Sequence, residues 1–322
     1  VEYKFGLIPS PPDFRDWQYG LLFGVTAVPE SYDMTGQCGP IRDQGNFGTC
    51  AAQAGSGVKD KHEGVVTAPL YTYAWAKKLD GIPDQEGTYL RTIMQVLLNK
   101  GICLEATLPY SRMRWPAMPA ITEVMDAEAA QFKIGGYAKI STMQELKQSV
   151  AAGRPVLAGV LVCQSFVDAP DGNIPVPGSM GQQDNTLGLH GILVVAYDDN
   201  RVANGYKGFF KIKNSWGEEW GDGGYGYIPY DFFNWRDYLG MPAWMESWTC
   251  VDVIVPPTGC KDGWLRIGSK IAEIDGKQIT LDIAPFIDFC AGRTYVPLRF
   301  ISENMGYVVE WHEADRVIHF YK

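Results

Sequence analysis

The sequence predicts an α+β fold over residues 1–250, followed by a small second domain, and three observations lead there. Helix-forming stretches crowd the first third of the chain, and apolar, β-rich runs crowd the part that follows. At residues 251–263 the composition then changes through Val255-Pro256-Pro257-Thr258-Gly259-Cys260-Lys261-Asp262-Gly263, a run with the Pro and Gly punctuation of a linker. A helical half that precedes a β half reads as segregated α+β layers, with a cleft between them whose apolar walls exclude water. The chain has 322 residues, 46% of them apolar and 20% charged, enough for one large core and one small one.

Each element has its own signal. Ala51-Ala52-Gln53-Ala54 are strong helix formers, so a helix is expected over Cys50 to Glu63 with Thr49 as its N-cap. Further helices are expected over Pro69 to Leu79 and over Thr88 to Lys100, the latter ending at Gly101. Strands are expected over Pro155 to Val162, Gly191 to Tyr197, Phe209 to Lys213 and Tyr225 to Pro229. The polar connection Asp198 to Tyr206 joins two of these as an antiparallel hairpin. Pairing centred near Val202 would set His190 opposite Asn214. In the last segment, residues 264–322, Ile274-Asp275-Gly276-Lys277 is a hairpin signal. An amphipathic helix around Leu298 to Asn304 and two short strands ending in Ile318-His319-Phe320 follow. This is a small α/β module near the lower size limit for independent folding, which docking or a Cys260 to Cys290 bridge would support.

Bulk properties exclude several functions. The net charge of −9 has its acids spread along the chain, which gives nucleic acid no electrostatic footprint. No apolar run approaches the ~20 residues that span a bilayer, and Val1 is not followed by a leader pattern; the chain is expected to be cytosolic or trimmed. Seven cysteines leave Cys50 over if Cys38, Cys103, Cys163, Cys250, Cys260 and Cys290 pair in an oxidising compartment; the alternative is several buried thiols. No Cys-x-x-Cys or His-rich cluster has metal-ligand spacing, so neither a metal nor a cofactor is predicted.

The chemistry centres on Gln44-Gly45-Asn46-Phe47-Gly48-Thr49-Cys50, which sets a thiol after a glycine-punctuated turn and in the first turn of a helix. There the helix dipole and unpaired N–H groups favour thiolate. His190 opens an apolar strand and Asn214 closes the next one. A cysteine nucleophile, a histidine base and an amide that orients the base form a complete set for acyl chemistry. A thiolate–imidazolium pair is the expected resting state, since each charge favours the other. Of the other histidines, His62 lies in a charged helical run and His312 and His319 in the C-terminal segment.

These residues carry a family resemblance. Gln44-Gly45-x-x-Gly48-Thr49-Cys50, His190 before its strand, and Asn214-Ser215-Trp216-Gly217-Glu218-Glu219-Trp220-Gly221-Asp222-Gly223-Gly224-Tyr225 together resemble the papain-like cysteine peptidases over about the first 250 residues. The resemblance implies a two-lobed fold, peptide or protein substrates, and an oxyanion hole made of the Gln44 side chain and the Cys50 backbone N–H. It also implies that Trp216 covers the His190 to Asn214 bond. Phe47, Ala51, Leu189 and Gly191 depart from the plant and lysosomal pattern and point to a bacterial branch, as do Gly6-Leu7-Ile8-Pro9 and Gln37-Cys38-Gly39-Pro40. Substrate contacts are expected from Glu86-Gly87-Thr88, with Gly87 pairing with substrate backbone, and from the loop Gln164 to Leu189 on the primed side. Val1 to Pro29 is expected to be a short regulatory arm or a mature N-terminus.

Gly292-Arg293-Thr294-Tyr295-Val296-Pro297-Leu298-Arg299-Phe300-Ile301 and Met305-Gly306-Tyr307-Val308-Val309-Glu310-Trp311 resemble the copper amine oxidase-like stalk domain of Gram-positive surface proteins, a name that does not imply copper. That resemblance implies secretion and a cell-envelope component as a partner. The expected function is a secreted bacterial cysteine peptidase working through an acyl-enzyme. A surface-binding protein with a peptidase-like scaffold and an acyl transferase are the alternatives.

Overall fold

The computed structural model describes residues 3–13, 16–23, 26–179, 184–237 and 239–251, and beyond them the backbone strands of the C-terminal segment. Tertiary contacts divide the chain into two units, residues 1–254 and 255–322.

The first unit begins with β1 (Leu7–Ile8), α1 (Tyr19–Phe23) and β2 (Ser31–Asp33), followed by α2 (Cys50–Glu63) and α3 (Pro69–Leu79). Both helices take the predicted ranges. Pro69 starts α3, where its missing N–H costs nothing. Gly64 ends α2 in the left-handed conformation, φ 68°, with its N–H on Asp60 O. Thr49 stands at the N-cap position but makes no capping bond, because its hydroxyl is taken by Tyr110 Oη at 2.6 Å. The next helix, α4 (Leu90–Asn99), begins later than predicted, since Thr88 and Tyr89 are drawn into a short strand, β3 (Thr88–Tyr89), parallel to β1.

The second half of the unit holds α5 (Glu123–Ala129), β4 (Gly136–Ile140), α6 (Met143–Ala151), β5 (Val156–Cys163) and α7 (Gln164–Val167). After them come β6 (Thr186–Ala203), β7 (Tyr206–Lys213), β8 (Tyr225–Pro229), α8 (Tyr230–Asn234) and β9 (Trp244–Val251). The strands form an antiparallel sheet in the order β4-β9-β5-β6-β7-β8, with β2 also on β6. β5, Val-Leu-Ala-Gly-Val-Leu-Val-Cys, is buried along its whole length and forms the centre of the core. Trp244 and Trp248 pack in this core.

The β6–β7 hairpin is present, but its register differs from the expected one. Its turn lies at Asn204-Gly205, and irregularities between Val194 and Ala196 and between Asp198 and Val202 leave Leu193 opposite Lys213. Asn214 therefore lies just past the paired strand and reaches His190 through its side chain, because bulges add residues to one strand only.

Glycines let α2 press against β6. A Cβ on Gly191 would stand 3.1 Å from the backbone of Ala51, and one on Gly57 would stand 2.8 Å from Leu193 Cδ2. This approach sets the start of α2 beside His190.

Cys38, Cys50, Cys103, Cys163 and Cys250 are thiols with no disulfide among them, which corrects the six-cysteine pairing for these positions. Burial pushes the thiols of Cys103 and Cys163 up to about 12 and about 11, as befits packing groups.

The second unit has an antiparallel sheet of β10 (Gly263–Leu265), β11 (Ile271–Ile274) and β12 (Lys277–Thr280), with Ile274 opposite Lys277 across the predicted turn. Two further pairs are β13 (Phe286–Asp288) with β14 (Arg293–Tyr295), and β15 (Val308–His312) with β16 (Val317–Tyr321). The expected helix at 298–304, most of the linker, Cys260 and Cys290 lie outside the described residues.

Candidate active site

Cys50 opens α2 and His190 lies on β6; both are fully buried. Asn214 Oδ1 lies 2.7 Å from His190 Nε2 and also accepts the Ser215 N–H at 2.8 Å. The second bond identifies that atom as the amide oxygen, so Nε2 must donate to it. The neutral imidazole then keeps its lone pair on Nδ1, a buried atom with no hydrogen-bond partner. The base is thus held in the tautomer that can take a proton from a thiol. Trp216 lies over the imidazole, ring centroids 4.6 Å apart, and is 5% exposed, so water is kept off the His190–Asn214 bond.

Gln44 is fixed from three sides. Ser215 Oγ donates to its Oε1 at 2.7 Å, its own N–H bonds Ser215 O at 2.9 Å, and Tyr110 Oη donates to its carbonyl at 2.9 Å. Its Nε2 donates to Phe47 O at 2.8 Å and to Lys4 O at 3.0 Å. The side-chain amide therefore presents an N–H to a carbonyl oxygen from another segment, as an oxyanion-hole donor does.

That carbonyl belongs to the chain's own N-terminal segment, which fills the cleft. Tyr3 stacks on Trp216 at 4.2 Å, and Phe5 meets the edges of His190 and Trp216. Gly6 accepts the Thr88 N–H at 3.0 Å, and Leu7 is 6% exposed. Ser10 N donates to Glu246 Oε1 at 3.0 Å. Gly6 has no spare space, since a Cβ there would stand 2.0 Å from Gly48 O.

This cover changes the electrostatics expected of the pair. Burial raises the Cys50 thiol more than the nearby backbone N–H groups of Gly191, Gly6 and Ala51 lower it. Burial likewise takes His190 down to about 4, against a smaller upward effect from Asn214. Burial in the covered site thus works against both charges of the expected ion pair, because neither has water beside it.

The expected substrate residues take different places. Glu86 Oε1 accepts the Gly48 N–H at 2.7 Å and Glu86 Oε2 lies 3.8 Å from Lys4 Nζ, tying the nucleophile loop to the covering segment. The N–H of Gly87 goes to Tyr73 Oη and its carbonyl to Lys77 Nζ. It is Thr88 that pairs with the occupying backbone, while Gly87 at φ 97° makes room for Gly6 O, only 2.4 Å from where a Cβ would be. Leu189 is half-buried opposite Leu161 on β5, and its neighbour Gly188 is the residue against Phe5. Trp216 lies between His190 and the covering Tyr3.

Residues 28–234 match the sequence profile described as Papain family cysteine protease, well over half of the chain. The chain belongs to the papain family of cysteine proteases. Residues 259–320 of this papain-family enzyme match the Copper amine oxidase N-terminal domain. Xylellain, a cysteine protease from Xylella fastidiosa, superposes with TM-score 0.64 and 26% identity, covering 77% of this chain and 96% of that one. An uncharacterized peptidase C1-like protein of Acanthamoeba polyphaga mimivirus is 26% identical over 272 residues, 72% of this chain and 83% of its own length. Cathepsin J of Mus musculus is 29% identical over 231 residues, 69% of this chain; the chain spans 62% of that cathepsin's length.

Several residues of the site escape sequence reasoning. Tyr110, which opens a 3₁₀ turn 66 residues beyond Gln44, steadies Gln44 and Thr49. Lys77 donates to Asp80, Ile82, Gln85 and Gly87 and so shapes the loop before β3. Glu246 holds the N-terminal segment. A lysine followed by glycines and acids within ten residues is the one faint local signal among them.

Proposed function

We propose that this papain-family enzyme is a secreted bacterial peptidase that hydrolyses peptide bonds through a thioester on Cys50, and that residues 3–10 close its cleft until they are displaced. The observation that carries the reading is the Ser215–Gln44 and Asn214–His190 pair of bonds, which fix an oxyanion donor and a base in register around one thiol. With the segment withdrawn and water admitted, Cys50 passes its proton to His190 Nδ1, and Sγ attacks the substrate carbonyl carbon. The oxygen takes up negative charge beside Gln44 Nε2 and the Cys50 N–H, a donor set worth roughly 2.7–4 kcal/mol for each donor. The carbonyl re-forms as the C–N bond breaks, and His190 returns the proton to the leaving amine. Water then attacks the thioester with His190 as base, releasing the acid and restoring the thiol. The localisation and a cell-envelope contact rest on the C-terminal segment's resemblance to stalk domains.

The test is hydrolysis of a mixed fluorogenic peptide library by the full chain, by Gly6→Ala and by Cys50→Ala, with and without a thiol-directed epoxide. Cleavage that rises in Gly6→Ala and vanishes with the epoxide and in Cys50→Ala supports the reading. Labelling of Cys50 without cleavage of any peptide would overturn hydrolysis, and an amide adduct dominating when an amine is added would replace it with acyl transfer.

A further inference from the structure

A cavity lies away from the nucleophile, where β2 joins β6, β7 and β8. It measures about 300 Å³, the size of a small-molecule site. Ala196, which lines it, is six residues past His190 along β6, roughly 20 Å at the rise of a strand. Its floor is two cross-strand rows, Asp33-Ala196-Lys211-Tyr227 and Ser31-Asp198-Phe209. The Ala196 methyl is too short to fill the space between Asp33 and Lys211. Arg201, delivered by the irregular stretch of β6 after Asp198, overhangs Tyr227 with its guanidinium 3.7 Å from the ring centre.

The charges of this cavity are divided between its two sides. Asp33 and Asp198 stand toward β2, Arg201 and Lys211 toward β8. The opposite signs do not consume one another. Lys211 Nζ is 4.0 Å from Asp33 Oδ2, at the outer limit of an ion pair. Arg201 gives Nη2 to a neutral acceptor, Asn173 Oδ1, at 2.8 Å, and its Nε is buried without a partner. Each carboxylate spends Oδ1 on backbone, Asp33 for the Thr35 N–H and Asp198 for the N–H groups of Asn200 and Arg201, which leaves Oδ2 outside those bonds. A lone anion would meet two carboxylates here and a lone cation two basic groups, so the ligand that complements the cavity carries one charge of each sign. The guanidinium fork suits a carboxylate, and the faces of Phe209 and Tyr227 suit an apolar side chain.

We propose that this cavity binds a small zwitterion, a free amino acid or a short peptide with both termini free, its carboxylate on Arg201 and Lys211 and its ammonium on Asp33 and Asp198. Peptide hydrolysis releases molecules of this class, so on the peptidase reading the cavity takes up a product; the binding itself does not depend on that reading.

Calorimetric titration tests this without turnover. The full chain carrying Cys50→Ala is titrated to millimolar concentration with phenylalanine, glycyl-phenylalanine, N-acetylphenylalanine and phenylalaninamide. At least one of the two zwitterions should bind about tenfold or more tighter than either blocked compound, and the tighter of the two tells whether amino acid or peptide is the ligand. Arg201→Met should weaken that zwitterion about tenfold and leave phenylalaninamide unchanged. Asp198→Asn, which keeps the Oδ1 acceptor, should weaken it similarly and leave N-acetylphenylalanine unchanged. A folding defect would not divide the ligands in this way. Ala196→Leu, which fills the floor, should weaken every ligand. No binding by either zwitterion, equal binding of N-acetylphenylalanine, or a preference that survives either charge variant would overturn the proposal. Because the nucleophile is absent, failure of the intact chain to hydrolyse peptides would count against the peptidase reading alone.

Discussion

Replacing Gly6 by alanine should open the active site. The new methyl would stand 2.0 Å from Gly48 O and 2.3 Å from Gly48 C, about 1 Å inside the 3.0 Å limit that real Cβ atoms respect. Both atoms are backbone in the loop that carries Cys50, so the segment must retreat rather than the loop. A retreat of that size breaks the Thr88 N–H to Gly6 O bond and the Gln44 Nε2 to Lys4 O bond. Two such bonds are worth about 1 kcal/mol each, and drawing Leu7 partly out of its pocket removes a share of the roughly 1.5–3 kcal/mol that burial of its side chain supplies. A loss of about 3 kcal/mol shifts the covered-to-open equilibrium more than ~100-fold. The assay is the second-order rate of epoxide labelling at Cys50, followed by mass spectrometry, with Gly36→Ala as a control because a Cβ there meets nothing within 4 Å. Labelling of Gly6→Ala at the rate of the parent chain, with an unchanged melting temperature, would refute the claim that residues 3–10 gate the thiol.

Other outcomes follow from the same geometry. Cys50→Ala should abolish turnover with the fold intact, while Asn214→Ala, which removes the acceptor that sets the His190 tautomer, should lower kcat less severely; both are read by hydrolysis rates beside circular dichroism. Gln44→Ala should cut kcat by about 10²–10³, and Ser215→Ala, which frees the amide to rotate, should cost less, with KM nearly unchanged in both. Acidification should loosen the cover. With His190 near 4 when buried against an ordinary value of 6.5, the neutral covered state keeps its full advantage above about pH 6.5 and loses it as pH falls toward 4. Hydrogen exchange of residues 3–10, corrected for intrinsic rates, should rise through that window, and protection that stays flat would exclude His190 as the titrating group.

Much of this enzyme is written locally. Helix formers after Thr49, Pro69 at a helix start and alternating apolar runs placed α2, α3 and β8 at their observed bounds, because propensity and periodicity act within a few residues. Gln44, Cys50, His190 and Asn214 could likewise be picked out as one set from their residue types and spacing, and the structure ties Asn214 to His190 and Ser215 to Gln44. What sequence could not supply is everything decided across the cleft. Bulges moved Asn214 out of its expected strand register, yet the side chain still reached His190. Glu86 turned toward the Cys50 loop, and Gly87 ceded the backbone pairing to Thr88. The sequence offered Val1 to Pro29 as a regulatory arm or a mature N-terminus, but no periodicity or composition in Tyr3 to Ser10 marks where that segment lies. Its role exists only where Gly6, Gly48 and Gly87 meet with no side chain between them. Such a contact is a property of three distant stretches brought together by the core, and burial there opposes the charge that the helix terminus alone would favour.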